Sequence, residues 1–299
     1  MKLLFGAMAV VGLLVTAHAR NDQNVAGIIE QIHCQAEVVQ RSSQNPVRLD
    51  PKRDIGRSLF PGESVLCTST GSMQLLVFGQ VVKINQPGTP YPIPYVRPSH
   101  LNDEEQMRQS ALEHYSRRGG RERSGDESEG DSVSPHFFYI VVPVNQEQPL
   151  LLSMRSKAGE EIWQGKVSSS SGILDSPAAR DAVSQYQKGG GGQLTVLISK
   201  NGEQQQINYF VLSREAEKQL ETALAVWDGE PSGLMQHIGR ASVFSDALLF
   251  EAAGREYEAA LADAPESGDL RQAAVEEYSR AGDGNRANNL GIGSAPPAR

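Results

Sequence analysis

Two segments, GIIEQIHCQAEVVQ at residues 27–40 and SMQLLVFGQVVKI at residues 72–84, indicate the structure of the first part of the chain. Apolar and polar residues alternate in both stretches, with the period of a β-strand that buries one face. The connecting sequence RDIGRSLFPGESVLCTSTGS carries glycine and proline turn signals at short spacing. Short strands separated by such turns predict a small antiparallel β-sandwich or barrel within residues 20–98.

The two cysteines of the chain, Cys34 and Cys67, both fall in this region. In an oxidising compartment an even pair is most simply a disulfide. A reactive thiol with His33 as its base is the alternative. Adjacent residues on a strand point to opposite faces, however, so His33 is badly placed to serve Cys34. The sequence therefore favours a structural Cys34–Cys67 disulfide.

Three short patterns in this region resemble a known family of exported domains. They are G-x-x-x-x-I at residues 27–32, LFPGESVL at residues 59–66 and VFG at residues 77–79. Their order and spacing resemble the FecR-type periplasmic β-domain. In iron-uptake regulators that domain follows a cytoplasmic helix and a membrane span, whereas this chain begins with a signal-like segment. The resemblance therefore implies a general exported β-module.

The first 19 residues have the layout of a secretory signal peptide. Lys2 precedes the apolar run LLFGAMAVVGLLV, and the small-residue motif Ala-His-Ala ends at Ala19. As a helix that run would extend about 20 Å, less than the roughly 30 Å of a hydrocarbon core. We expect cleavage after Ala19, no transmembrane segment in the mature chain, and a periplasmic or secreted location.

The charge balance narrows the classes of partner. The formal net charge is −8, and no basic stripe is available to neutralise phosphates. Nucleic acid is therefore not expected as a partner. The acidic excess by itself predicts solubility rather than a binding device.

A proline-rich stretch, QPGTPYPIPYVRPS at residues 86–99, leads into a charged and partly disordered linker that we place at residues 99–134. The prolines favour extended backbone, which predicts a stiff spacer, with a proline-rich ligand for a partner as the alternative. In the linker, NDEEQMRQSALEHYSRR predicts one helix capped by Asn102 or Asp103. Residues 117–132 contain no apolar side chain, which predicts disorder.

Residues 135–213 contain several strand patterns, beginning with HFFYIVVPV and ending with QLTVLIS and QINYFVL. Asn201 and Gly202 separate the last two patterns and predict a hairpin turn. The series predicts a second antiparallel sandwich of immunoglobulin-like character. The glycine run at residues 189–192 lacks the Lys and Ser or Thr of a phosphate loop, so we expect a turn and no cofactor.

Residues 214–290 change to a helical pattern rich in alanine, leucine and glutamate, with Ser213 as the predicted cap and residues 291–299 as a flexible tail. Apolar residues share one predicted helix face at positions Leu220, Ala223, Leu224 and Trp227. The predicted fold class is therefore multi-domain β plus α, with two small antiparallel β-domains before a C-terminal helical hairpin or repeat segment.

The pattern EAAGREYEAALADAP at residues 251–265 resembles the second helix of a tetratricopeptide repeat. A shift of 34 residues, the period of that family, carries Phe244 onto Tyr278 and Ala253 onto Ala287. The alternative is an ordinary helical hairpin. One and a half repeats cannot bury a core alone, so we expect this segment to pack on the preceding helix or sandwich.

The resemblance also implies a partner groove, because the first helix of each tetratricopeptide repeat lines the concave side. It directs Ser242 and Asp246 from one repeat, and Gln272, Glu276 and Arg280 from the next, toward that groove. Polar residues three or four apart lie on one helix face. A solvated surface without a partner is the alternative reading of these residues.

Motifs for catalysis and metal binding are absent from the sequence. It contains no G-x-S-x-G, no H-E-x-x-H and no calcium-loop spacing, and its histidines are scattered. These features favour a non-catalytic exported scaffold or envelope-associated adaptor whose partners are other proteins or components of the cell envelope. Two alternatives remain open, a cell-wall or glycan-binding protein that uses the β-domains, and a hydrolase with an unrecognised site.

Overall fold

The computed structural model of the protein describes residues 25–41, 43, 45–117, 131–200 and 202–292. It is a mixed β plus α fold with helices at the C-terminal end, as predicted. The predicted signal peptide, most of the charged run and most of the predicted tail lie outside the described residues. Within the described part of the chain, no helix combines the length and the apolar character that crossing a membrane requires.

The first β-region consists of two four-stranded antiparallel sheets. Its strands are β1 (Gly27–Ile32), β2 (Ala36–Val39), β3 (Pro46–Leu49), β4 (Ser58–Leu59), β5 (Ser64–Cys67), β6 (Met73–Val77), β7 (Gln80–Ile84) and β8 (Tyr91–Pro92). One sheet has the order β4-β1-β6-β7 and the other β3-β2-β5-β8. This agrees with the predicted small sandwich. The proline-bearing β8 lies at a sheet edge, where a missing N–H costs no ladder hydrogen bond.

Both sheets of the first β-region contribute to one core. Ile29 and Leu75 from one sheet and Val38 and Val65 from the other are completely buried in it. The predicted disulfide joins Cys34 to Cys67 across a Cα–Cα distance of 5.8 Å. It therefore ties the segment before β2 to the end of β5.

The second β-region is a single five-stranded sheet covered by one helix. Its elements are β9 (Asp131–Val133), β10 (Asn145–Ser156), β11 (Glu161–Ser169), α2 (Pro177–Lys188), β12 (Gly192–Lys200) and β13 (Glu203–Val211). The strand order is β11-β10-β12-β13-β9, and only the pair of β13 with β9 is parallel. One sheet and a helix thus take the place of the predicted immunoglobulin-like sandwich.

Local sequence explains why a helix forms between β11 and β12. The Ser176 hydroxyl accepts the N–H of Ala179 at 3.3 Å, and Pro177 occupies the first turn, where its missing N–H is harmless. Ala179 and Val183, four residues apart, are buried against the sheet. The cap signal Ser176-Pro177 and the helical spacing of Ala179 and Val183 are both local, but the prediction of strands throughout residues 135–213 missed this helix.

Residues 117–132 were predicted to be disordered, but the last two of them belong to strand β9, so the prediction is wrong there. Asp131 and Ser132 are buried, and they pair with β13. The N–H of Ser132 also donates to the carbonyl of Leu248 at 2.7 Å. Residues 118–130 lie outside the described part of the chain.

Six further helices complete the fold. They are α1 (Asp103–Arg117), α3 (Arg214–Ala225), α4 (Gly233–Asp246), α5 (Phe250–Ala260), α6 (Gly268–Arg280) and α7 (Gly284–Ile292). Helix α1 begins with a reciprocal capping box, in which Asn102 accepts the N–H of Glu105 and Glu105 accepts the N–H of Asn102, both at 2.9 Å. Ser213 caps α3 through the N–H of Ala216, as predicted.

Helices α4 to α7 pack in sequence on one another. Helix α6 begins 35 residues after α4, and α7 begins 34 residues after α5. Small residues meet large ones between the helices, since a Cβ on Gly254 would lie 2.8 Å from the ring of Tyr278. The spacing agrees with the predicted period, while membership of the tetratricopeptide family remains a prediction.

Helix α1 joins the first β-region to the helical stack. Its Leu112 shares a buried core with Ile28 of β1 and Ile238 of α4. At the β6–β7 turn, Gly79 has φ +81°, and a Cβ there would lie 2.0 Å from the carbonyl oxygen of Glu105. The helical segment therefore packs on a preceding helix and on the sandwich, as expected from its small size.

Candidate functional site

A cleft of about 620 Å³ lies between the first β-region, the end of α1 and the first half of α6. Its lining residues are Gln40, Arg53, Asp54, Arg57, Ser58, Phe60, Glu63, Tyr115, Ser116, Gly268, Asp269, Gln272, Ala273 and Glu276. The cleft thus combines two strongly charged walls from distant parts of the sequence.

The loop between β3 and β4 forms the first wall, and hydrogen bonds fix its shape. The Asp50 carboxylate accepts the N–H of Lys52 at 2.8 Å, and the Asp54 carboxylate accepts the N–H of Asp50 at 2.7 Å. The first of these bonds is the main reason that the pKa of Asp50 lies below its ordinary value. Asp54 also receives Arg57, whose guanidinium lies 3.1 Å from its carboxylate.

Glycine allows this loop to approach α6 closely. Gly56 has φ +80°, and a Cβ there would lie 3.2 Å from the side chains of Leu270 and Ser267. The hydroxyl of Tyr115, at the end of α1, donates to the carbonyl of Gly56 at 3.1 Å. The loop is therefore held from two sides.

The first turn of α6 forms the opposite wall. The N–H of Ser58 donates to the Asp269 carboxylate at 3.1 Å, and Arg53 pairs with Glu266 at 3.3 Å. Asp269 is exposed to water in the cleft, yet protein surrounds it closely enough that desolvation raises its pKa. These contacts join the loop to the start of the helix without closing the cleft.

Further along the cleft, Gln272 and Glu276 extend the α6 wall. The Gln272 amide donates to the Glu276 carboxylate at 2.8 Å. Opposite them, Glu63 accepts the N–H of Phe60 at 2.9 Å, and burial raises the pKa of Glu63. Within the described part of the chain, Glu276 has no ion-pair partner.

Carboxylates outnumber cations in the cleft. The lining carboxylates are Asp54, Glu63, Asp269 and Glu276, and the lining guanidiniums are Arg53 and Arg57. Both guanidiniums already pair with carboxylates of this chain. The cleft therefore presents unpaired negative charge to a ligand, along with amide and hydroxyl groups.

The structure places only two of the five predicted groove residues in this cleft, Gln272 and Glu276. Ser242 is buried in α4, and the Asp246 carboxylate lies 3.1 Å from the imidazole of His114 in α1. Helix α1 packs on α4 and occupies the side that the repeat resemblance assigned to a partner. Asp246 therefore contacts a helix of the same chain, and Ser242 lies in the interior.

Arg280 also lies outside the cleft. Its guanidinium sits 3.7 Å from the centre of the Phe250 ring and donates to the Ser245 hydroxyl at 3.1 Å. A guanidinium over an aromatic face is attracted by the ring quadrupole. This arrangement gives Arg280 a packing role between α4, α5 and α6.

Sequence reasoning missed the residues of the β3–β4 loop, Arg53, Asp54 and Arg57. The signal was present in RDIGRS, where charged residues flank a turn glycine. That pattern indicates an exposed turn, but it carries no information on which distant helix the turn approaches.

A second charged cluster lies at the boundary between the second β-region and the helical stack. Its carboxylates are Asp131, Glu251, Glu277 and Asp283, all buried, and its guanidiniums are Arg255, Arg280 and Arg286. Within the described residues, no group of His, Cys, Asp or Glu side chains has a geometry that could hold a metal ion. In this cluster Glu251 pairs with Arg255 and Arg286, Glu277 pairs with Arg280, and Asp283 pairs with Arg286.

Desolvation raises the pKa of two carboxylates in this cluster, Glu251 and Asp131. Burial raises the pKa of Glu251 to about 7, although Arg255 and Arg286 lower it in part. Burial raises the pKa of Asp131 as well, even though Asp131 accepts the N–H of Phe250 at 3.0 Å. Nearby carboxylates add to both shifts.

Comparison with known proteins leaves the chain without a family assignment. No protein-family model matches it, and no curated protein matches it significantly. Its function must therefore be inferred from the geometry of the chain itself.

Proposed function

We propose that this chain is a non-catalytic exported adaptor, periplasmic or secreted, whose cleft binds an extended basic segment of another protein. The observation that carries this proposal is the excess of carboxylates along the cleft, with Glu276 and Asp269 on one α6 face. A lysine or arginine of a partner would supply the cation that these groups lack.

The shape of the cleft supports a peptide rather than a small metabolite. It is open to solvent, and its walls come from a β-loop and a helix. Hydrogen bonds to Asp50, Asp54 and Asp269 hold both walls in place before a partner arrives. A preformed site reduces the ordering cost of association.

The proposed compartment rests on covalent structure. The Cys34–Cys67 disulfide is of the kind that persists in oxidising compartments. The signal-like sequence at residues 1–19 supports the same location. The non-catalytic interpretation is supported by the sequence, which contains no G-x-S-x-G and no H-E-x-x-H motif.

The test compares two glutamines that have the same local setting. Gln272 pairs with Glu276 inside the cleft, and Gln219 pairs with Glu215 on α3, outside the cleft. We expect Gln272→Lys to weaken the binding of a lysine-rich peptide about tenfold or more, because it places a cation beside the carboxylates. Gln219→Lys should leave binding unchanged.

Fluorescence anisotropy with labelled lysine-rich, neutral and aspartate-rich peptides measures this effect, and crosslinking in intact cells extends it to natural partners. Preference for the aspartate-rich peptide, or equal losses from Gln272→Lys and Gln219→Lys, would contradict the proposal. Hydrolysis of a peptide or ester substrate that depends on the cleft carboxylates would instead favour an enzyme.

A further inference from the structure

The sheet of the second β-region has one covered face and one open face. Helix α2 covers the face that carries Leu152, Val196 and Tyr209. Successive residues of a strand point to opposite faces, so the intervening residues form the open face. Leu151 is 38 % exposed and Phe210 is 53 % exposed on that face.

The strand register arranges these open-face residues in rows. In one row, Leu197 of β12 lies between Ser153 of β10 and Gln206 of β13. In the next row, Thr195 lies between Arg155 and Asn208. The remaining rows pair Ser199 with Gln204 and Gln193 with Phe210. The result is a surface four residues long on two neighbouring strands.

This surface is neutral where β12 and β13 form it. Its eight positions are Gln193, Thr195, Leu197, Ser199, Gln204, Gln206, Asn208 and Phe210. Charged residues make up 21 % of the chain, yet none of them occupies these positions. Exposed sheet faces usually carry charged residues that favour water and discourage association, so their absence here needs a reason.

Amides and hydroxyls of the surface are available for hydrogen bonds. Thr195 and Gln206 both donate to the Asn208 carbonyl oxygen at 3.2 Å, which orients the Asn208 amide. The side chains of Gln193 and Gln204 have no hydrogen-bond partner in the described part of the chain. Each amide offers both donors and an acceptor.

Apolar groups are interspersed among these amides. Leu197 is half-buried in the middle of the surface, and Phe210 presents an exposed ring at one end. A pyranose ring has the matching chemistry, because its hydroxyls both donate and accept while its C–H groups pack on apolar side chains. Among the eight positions of β12 and β13 a polyanion would find no opposite charge, because the cations of this face, Arg155 and Lys166, lie on β10 and β11.

We propose that this open sheet face binds a neutral polysaccharide whose chain lies flat along β12 and β13. The proposal is independent of the cleft, which lies on the first β-region and α6. Neutral amides then provide hydrogen bonds to the sugar hydroxyls, and Leu197 and Phe210 contact the sugar C–H groups.

The test uses affinity electrophoresis of the whole protein in gels that contain hydroxyethylcellulose, laminarin or mannan. We expect at least one of these neutral polysaccharides to retard the protein. Gln206→Glu and Phe210→Ser should each weaken the apparent affinity about fivefold or more, because the first adds an unpaired charge and the second removes the exposed ring.

Gln205→Glu is the matched control. Gln205 is the neighbouring residue on β13, is equally exposed, and pairs with Ile198 on the opposite face. The Gln205→Glu change adds the same charge and should leave retardation unchanged. Melting temperatures test whether all variants fold.

Three outcomes would overturn the proposal. The first is a lack of retardation in all three gels. The second is an equal loss of retardation from Gln206→Glu and Gln205→Glu. The third is that Gln206→Glu changes crosslinking to a protein but leaves retardation unchanged. The last outcome identifies a protein as the occupant. The cleft variants leave this measurement unchanged, so failure here is separable from failure of the proposed peptide binding.

Discussion

The two β-regions bury the apolar faces of their sheets in different ways. In the first, two sheets cover each other's inner faces, and a disulfide links Cys34 to Cys67 within the sandwich. In the second, one sheet is covered by α2 on a single face. A sheet needs only one buried face for stability, so the second design leaves a whole face free for another purpose.

The two regions also join the helical stack through similar contacts. Asp131 of β9 accepts the N–H of Phe250 at the start of α5, and Asp269 of α6 accepts the N–H of Ser58 in β4. Each carboxylate has its pKa raised by burial. The difference is that Asp131 is buried whereas Asp269 remains open to a ligand in the cleft.

Removal of the disulfide should give the largest difference between the two regions. We expect the double change Cys34→Ala and Cys67→Ala to lower the free energy of unfolding by about 3 to 4 kcal/mol, because it releases a long loop in the unfolded chain. Hydrogen exchange followed by mass spectrometry should show faster exchange in β1, β2 and β5. Exchange in β10 and β12 should be unchanged.

Reductant provides the control for this prediction. It should reproduce the effect in the unaltered protein and have no effect on the double variant. Equal acceleration of exchange in both β-regions would show that the two regions unfold together, and the comparison between them would fail.

Alanine substitutions of two adjacent leucines should show how differently the covered and open faces of the second sheet contribute to stability. Leu152 is 0 % exposed beneath α2, whereas Leu151 lies on the open face. We expect Leu152→Ala to lower the free energy of unfolding by about 3 kcal/mol, because it leaves a cavity in the core. Leu151→Ala should lower it by less than about 1 kcal/mol.

Urea unfolding, followed by circular dichroism, measures both values. Comparable losses from the two changes would mean that the face we describe as open is covered in solution. That result would also contradict the inferred polysaccharide site.

The smallest predicted effect is a pH dependence from Glu251. Its folded-state pKa of about 7 lies above the 4.5 expected for an unfolded chain. The folded state therefore binds the proton more tightly, so this stabilisation is complete below about pH 4.5 and is lost as the pH rises through 7. As the pH rises from 5 to 8.5, we expect the ionisation of Glu251 to lower the free energy of unfolding by roughly 2 kcal/mol.

Glu251→Gln should reduce this pH dependence, because glutamine does not ionise. The exposed Glu215 of α3 supplies the control, and Glu215→Gln should leave the pH dependence unchanged. Urea midpoints at pH 5 and pH 8.5 measure it. A midpoint that rises with pH in the unaltered protein, or an equal response in both variants, would contradict the prediction.

Strong local patterns allowed much of the fold to be predicted from the sequence. Alternating residues predicted β1, β6 and the β12–β13 hairpin, and the caps at Asn102 and Ser213 predicted the starts of α1 and α3. Helix α2 was missed although Ser176-Pro177 is a cap signal and Ala179 and Val183 have helical spacing, because the surrounding strand patterns favoured an all-β interpretation of residues 135–213. Strand β9 was missed because a charged sequence forms a strand there only through pairing with β13.

The candidate sites were less predictable than the fold. Helical spacing placed Gln272 and Glu276 on one face of α6, where both line the cleft. The same spacing also suggested Ser242 and Asp246, which face α1 or the interior instead. Periodicity defines a helix face, but it does not specify which other element packs on that face.

The alternation of the strands, the cysteine pair, the helix caps and the near-34-residue spacing of the C-terminal helices follow from the sequence, because each depends on local conformation or on residue type. The packing of α1 on α4, the meeting of Arg57 and Asp269 in one cleft and the open face of the second sheet are visible only in the folded protein. These features depend on contacts between residues far apart in the chain. Their energy comes from burial and charge pairing that exist only once the elements are packed together.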